Sequence, residues 1–333
     1  MLLSEAVDQF IQWRESEAYS KQTIDGNRKH LYRIIDIVGN VPIEQFDATA
    51  YDKVQATEAK RGLAPGTLNN IQSTVRAFTK WAHTRGIWQP FHTPVAGRRY
   101  RPDPPKEKRM LSLSQFPVLL DNTDNPRDRV LIALALFTMC RQSELLTLRI
   151  KDVDLESGTL YVRVHKSYTD DRMPISSELD EELRRWLTYY TEECGPLNPD
   201  WYLVPAREND GFTTRRLVPT RQISKSQPIL QRSLKAMGIT PKPYEDGMHL
   251  LRRSAARRLY DELVAMGYDG AMRQVQTWLH HSSVTITERY LGLTVDRDTR
   301  DKAVRGQAMF PSLKADNVVE LEVVRGSRNT ADV

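Results

Sequence analysis

Along residues 1–96 the apolar positions recur at helical intervals. Val7, Phe10 and Ile11 open the pattern. Ile24, Leu31, Ile34, Ile35 and Val38 form a second stripe, with Ser20 as a start signal and Gly39 as a stop. Asp47 is placed to cap a third helix ending near Gly62. Leu68, Ile71, Val75, Phe78 and Ala82 mark a fourth, with Gly86 beyond its end. These stripes predict a four-helix unit whose apolar faces are core. The run from Gly97 to Arg109, GRRYRPDPPKEKR, then breaks the periodicity, because Pro102, Pro104 and Pro105 cannot continue a helix. Residues 97–109 are therefore expected to be a basic, proline-stiffened linker.

Residues 110–310 predict a second domain, mostly helical with one small sheet. Pro126 precedes a nearly unbroken apolar run from Val130 to Met139, suited to a buried helix, and Arg141 and Glu144 follow directly. Residues 159–164 alternate like a strand and residues 172–175 are placed to return beside it. The loop between them, His165 to Asp171, carries Lys166. Helices are expected at 177–190, 222–237, 250–266 and 270–279. The fold class is mainly α with a small β-sheet, that is, α+β in two domains. Residues 311–333 form a tail in which Val318 to Val324 alternates like a strand, either a disordered end or a segment that docks on a neighbouring subunit.

Composition narrows the classes. No apolar run approaches the ~18–20 residues of a membrane span. The start, Met1-Leu2-Leu3-Ser4-Glu5, lacks a signal peptide's basic and apolar regions, and two cysteines, Cys140 and Cys194, make no disulfide framework. A cytoplasmic location without a membrane partner is the expectation. The net charge of +5, from 48 basic and 43 acidic residues, is weak on its own. Its distribution adds more. The linker holds six basic and two acidic residues, and residues 211–244 contain no Asp or Glu at all. Arg98, Arg99, Arg101, Arg215, Arg216, Arg221 and Lys225 are the candidate phosphate contacts on DNA, the alternative being two solvated loops.

The chemistry-bearing residues cluster late in the chain. His249 and Arg252, three apart, share a helix face, and His281 precedes Tyr290 by nine residues. Two imidazoles, a guanidinium and a phenol can hold a phosphodiester and attack it. Guanidinium groups match a phosphate bidentately and stay charged at any working pH; Arg252 and Arg141 are the candidates, with Glu144 able to orient Arg141. A free phenol ionises near pH ~10, so Tyr290 needs a base or a positive field, for which His249 and the arginines are available. Lys166 could give the leaving 5′ oxygen its proton. A metal-dependent nuclease would need converging carboxylates, and Asp152, Asp154, Asp170 and Asp171 qualify by type only. No metal and no cofactor is expected.

Five stretches in order resemble the tyrosine recombinases, the phage integrases and their chromosomal relatives. Thr138-Met139-Cys140-Arg141-Gln142-Ser143-Glu144-Leu145 resembles the box of the first catalytic arginine. Val162-Arg163-Val164-His165-Lys166 resembles the strand and hairpin of the catalytic lysine. His249-Leu250-Leu251-Arg252 matches H-x-x-R, Leu279-His280-His281-Ser282-Ser283 is similar to L-G-H-S-S, and Tyr290 falls at the family spacing. The resemblance spans most of 110–300, with 1–96 similar to a core-DNA-binding domain. It implies a C-shaped clamp on double-stranded DNA at an inverted-repeat core site. It implies that Tyr290 forms a 3′-phosphotyrosyl link, Arg141 and Arg252 clamp the phosphate, Lys166 is the general acid, His249 assists proton transfer and His281 hydrogen-bonds the phosphate, without metal or ATP. It further implies a homotetramer in the synapse that passes a C-terminal segment between neighbours, and an accessory DNA-bending protein as a partner. Integration of phage or mobile-element DNA is the expected use. Resolution of chromosome or plasmid dimers, a type IB topoisomerase-like reaction and a catalytically silent DNA-binding relative are the alternatives. The absence of an arm-binding domain is expected, as in a simpler recombinase or a shortened integrase. Three positions depart from the pattern: Met139 and His280 stand where the family has glycine, and Arg253 where a second histidine often follows.

Overall fold

The computed structural model describes residues 1–88, 93–98, 108–164, 169–209, 215–242 and 245–293. The chain divides into two compact units, Met1–Lys106 and Glu107–Val333.

In the first unit, α1 (Leu3–Ser16), α2 (Lys21–Val38), α3 (Ala48–Lys60) and α4 (Pro65–Thr84) follow the periodic stripes. Their ends are fixed as the local chemistry dictates. The Ser20 hydroxyl accepts the Thr23 N–H at 3.3 Å and the Asp47 carboxylate accepts the Ala50 N–H at 2.8 Å, each satisfying a helix-start donor that would otherwise go unpaired. Pro65 opens α4, where its missing N–H costs nothing. The stripes converge on a core that includes Phe10, Phe46, Phe78 and Trp81, with Phe10 and Phe78 edge to face at 5.6 Å.

The second unit is built around α6 (Pro126–Thr138), whose residues from Val130 to Leu136 are all buried. Apolar on every side, it can only be a central helix. Against it pack α5 (Gln115–Asp121), α7 (Gln142–Thr147), α8 (Ser177–Cys194) and α10 (Met248–Ala265). Strands β1 (Val153–Asp154), β2 (Thr159–Val164) and β3 (Thr169–Pro174) form an antiparallel sheet in that order, with Leu160 opposite Met173 and Val162 opposite Asp171. The first residues of the expected loop-to-strand return thus already belong to β3, which starts at Thr169. A separate hairpin, β4 (Pro205–Asn209) with β5 (Arg215–Gln222), occupies part of the basic stretch; it was not expected, since its sequence is polar and only Leu217 buries deeply along β5. The helix expected from 222 is shorter, α9 (Gln227–Ala236), because β5 runs through Gln222. Helices α11 (Ala271–Trp278) and α12 (Val284–Leu291) complete the described unit. The last was also unexpected: its β-branched start reads like a strand, yet Ser283 caps it and Gly292, at φ +76°, closes it. Among the described residues, no helix is long and apolar enough to cross a membrane. The tail, 311–333, lies outside the described residues.

Candidate active site

Arg141, His249, Arg252, His281 and Tyr290 come together in the second unit, where α6 and α11 end against α10 and α7. Arg252 sits in the second turn of α10 and is 2% exposed. Its guanidinium bridges two helix ends, Nη1 donating to the Met139 carbonyl at 2.5 Å and Nη2 to the Leu279 carbonyl at 2.6 Å. Arg141, at the N-cap of α7, donates through Nη2 to the Leu279 and His280 carbonyls at 3.4 and 3.3 Å. Carbonyl groups at a helix C-terminus carry the partial negative end of the macrodipole, so both arginines are held by backbone charge.

Glu144 completes the cradle. It is 1% exposed, accepts the Arg141 backbone N–H at 2.6 Å and pairs with Arg141 Nη1 at 2.9 Å, with Arg252 Nη1 4.0 Å away. Two guanidiniums therefore face one carboxylate, which leaves an excess positive charge suited to an anion. The expected Arg141–Glu144 ion pair is present, and Glu144 reaches the second arginine as well.

The carbonyl cradle depends on two left-handed turns. Met139 has φ +54° and His280 φ +49°. These are the two positions where the family pattern has glycine, and the backbone explains that preference, since a side chain in this region costs about 1–2 kcal/mol. Each turn ends a helix and points peptide oxygens back at the arginines. The adjacent pair His280-His281 is thus not helical. His280 turns its Nε2 to Asp171 Oδ2 at 2.6 Å. His281 instead lies edge-on to Tyr290, ring centroids 5.2 Å apart, with Nδ1 3.1 Å from the hydroxyl of buried Thr287.

Tyr290 projects from α12 with its hydroxyl buried beside the arginines. Burial raises its pKa above the ordinary value, opposed by the nearby charges of Arg252, Arg253 and Arg141. The Arg252 guanidinium carbon is 5.9 Å from the ring centroid. His249 is open to solvent on one side and crowded on the other. Its pKa is lowered first by that partial desolvation and then by Arg252, Arg253, Arg141 and Lys108, so the ring favours its neutral, proton-accepting form.

Arg253 is buried too, and clamps the extended segment entering the unit by donating through Nε and Nη2 to the Arg109 carbonyl at 3.2 and 2.7 Å. Lys166 lies outside the described residues, as do Arg99 and Arg101; of Arg215 only the backbone is described. Arg98 has its guanidinium turned inward, to Asp52 Oδ1 at 2.6 Å and Gln55 Oε1 at 2.9 Å. Arg221 donates to the Arg207 carbonyl at 3.0 Å and pairs loosely with Glu208. Arg216 and Lys225 are exposed, and Lys225 shares a cleft with Gln142, the neighbour of Arg141. Sequence reasoning did not single out Thr287, did not foresee that Glu144 also reaches Arg252, and weighed Asp171 only as a metal-ligating carboxylate. The glycine departures at 139 and 280 were the available signal for the left-handed turns.

Comparison with known proteins bears directly on this constellation. The model of the phage integrase family matches residues 109–297, which contain all six candidate catalytic residues. The tyrosine recombinase XerC of Xanthomonas axonopodis pv. citri (strain 306) is 27% identical over 307 residues, covering 86% of this chain and 92% of that protein. XerC of Mycobacterium sp. (strain KMS) is 30% identical over 271 residues, covering 76% and 79%. In fold, the chain is similar to a lambda integrase (75-356) dimer bound to a COC′ core site, with a TM-score of 0.66 at 18% identity over 87% of this chain and 95% of that one. The Tn1549 transposon integrase in complex with circular intermediate DNA gives a TM-score of 0.65 at 19% identity, covering 92% and 100%.

Proposed function

The chain belongs to the phage integrase family and is a site-specific tyrosine recombinase, an enzyme of DNA cleavage and rejoining, and on that premise we propose that Tyr290 is its nucleophile. The Tyr290 oxygen attacks the scissile phosphorus, forming a 3′-phosphotyrosyl bond while the bond from phosphorus to the 5′ oxygen breaks. The phenolic proton passes to His249, and the 5′ oxygen takes a proton from Lys166. Arg141 and Arg252 bind the nonbridging oxygens, where charge grows as the bonds exchange, and His281 adds a hydrogen bond. Rejoining is the same step reversed, so the phosphodiester's energy is kept and neither ATP nor metal is called for.

The observation that carries this reading is the buried Tyr290 hydroxyl beside two arginines that share one carboxylate. A protonated phenol in that setting is inert until an anion arrives. A phosphate between the guanidiniums brings the electrophile, and His249, kept neutral, is suited to take the proton.

The proposed substrate is double-stranded DNA bearing an inverted-repeat core site, and the proposed assembly is a tetramer on two duplexes in the cytoplasm. Arg216 and Lys225, both exposed, are proposed to meet backbone phosphates. Integration of mobile DNA is the proposed use. Tyr290→Phe is expected to bind a nicked suicide duplex but to form no covalent adduct on a denaturing gel. An adduct surviving in that variant would sink the assignment. Joining two unlike sites, rather than two copies of one site, would separate integration from dimer resolution.

A further inference from the structure

His280 occupies a backbone position that favours glycine, and what its side chain does there is specific. The ring bridges from the turn after α11 to strand β3, with Nε2 2.6 Å from Asp171 Oδ2, while Asp171 Oδ1 accepts the Arg172 N–H at 2.8 Å. The other ring nitrogen, Nδ1, is buried without a partner, so the ring's bond is the one Nε2 donates to the carboxylate. The same residue's carbonyl accepts from Arg141 Nη2. One residue therefore touches the phosphate-clamping arginine through its backbone and the β2–β3 hairpin through its side chain. A second contact runs parallel to it: Cys140, next to Arg141, has its sulfur 3.2 Å from the Met173 sulfur on β3. That contact is a weak bond from the Cys140 thiol to a thioether sulfur; the histidine–carboxylate bond is the stronger and more directional of the two.

We propose that His280 is a positioning residue whose bond to Asp171 sets the register of the β2–β3 hairpin against the turn that holds Arg141 and Arg252. The inference rests on the reading of Lys166 as general acid, because Lys166 belongs by sequence to the short connection between β2 and β3. In that reading the hairpin carries the proton donor for the 5′ oxygen and the 279–280 turn carries the phosphate clamp. The His280–Asp171 bond ties the two halves of the reaction together. A glycine at 280 would relax the backbone and lose the tie.

Four proteins test it: His280→Gly, which accommodates the positive φ, Asp171→Ala, the double variant, and Lys166→Ala as reference. Single-turnover cleavage is measured on a suicide duplex with either oxygen or sulfur at the bridging 5′ position. Sulfur leaves as a thiolate, whose conjugate acid ionises near ~8.5, and needs no proton. Each single variant is expected to slow the oxygen substrate about tenfold, the double variant to be no slower than the worse single, and the sulfur substrate to be cleaved within about twofold of the parent rate. Amide hydrogens of residues 169–174 are expected to exchange faster in both single variants. Equal slowing on both substrates, multiplying losses in the double variant, or unchanged exchange would each overturn the proposal. If Lys166→Ala stays slow on the sulfur substrate, the general-acid reading fails by itself, and the double-variant and exchange results still decide the His280–Asp171 coupling.

Discussion

Met139 sets two opposing magnitudes in one residue. Its φ of +54° is a conformation that costs a side chain about 1–2 kcal/mol and costs glycine almost nothing. Relief of that strain alone would make Met139→Gly a stabilising change, and the family pattern points the same way. The side chain, however, is 4% exposed and belongs to the main core of the second unit. Removing a buried methionine side chain costs about 2–5 kcal/mol in transfer and cavity terms. Packing exceeds strain, so Met139→Gly is expected to destabilise the unit by about 1–3 kcal/mol. Met139→Leu, which keeps the volume and the backbone strain, should stay within about 1.5 kcal/mol of the parent. Amide exchange of the buried residues 131–136 in α6 reports the opening of this unit separately from the first, and a urea titration gives an independent midpoint. The Met139 carbonyl that receives Arg252 is backbone, so cleavage by folded Met139→Gly should remain within a few-fold of the parent. A glycine variant as stable as the parent, or more so, would refute the reasoning, because the side chain would then contribute less than the turn costs.

Two further outcomes follow from the charges around the site. His249 has its pKa lowered from 6.5 by crowding and by four cationic neighbours, so the folded protein resists protonating it where the unfolded chain does not. Any stability it contributes is fully present above pH 6.5 and is lost as the pH falls through the folded value. If it is the base, the acid limb of single-turnover cleavage lies below pH 6.5 and disappears in His249→Gln; a limb at or above that pH, unaltered in the variant, would remove His249 from the role. Glu144→Gln keeps the shape of the cradle but leaves two guanidiniums without their carboxylate, and should lower stability in urea by about 3 kcal/mol. A loss under about 0.5 kcal/mol would mean that the helix-end carbonyls alone balance the arginines.

Much of the fold was legible because its signals are local. Ser20 and Asp47 announce helix starts that need only their own neighbours, and the unbroken apolar run before Arg141 can only be a central helix. The β4–β5 hairpin and α12 were not legible in the same way. The hairpin's residues carry little alternation, and the start of α12 has strand propensity that its Ser283 cap and its packing on α10 and α11 override. In the site, residue types and spacing singled out candidate side chains, and Arg141, Arg252, His281 and Tyr290 do gather. What holds them was not legible, since the anchors are peptide carbonyls of Met139, Leu279 and His280, which no residue identity encodes. The bond from His280 to Asp171 spans 109 residues of sequence, and nothing local to either predicts it.

Anchoring the Arg141 and Arg252 guanidiniums on peptide oxygens has an evolutionary consequence. A carbonyl is present whatever residue supplies it, so substitutions at 139, 279 and 280 can accumulate while the arginines keep their bearings. The vulnerability lies elsewhere, in the count of residues. One residue inserted or deleted between α6 and α7, or between α11 and α12, would rotate the oxygens away from the guanidiniums. Lineages of this architecture should therefore tolerate changes of letter far better than changes of length at these two junctions.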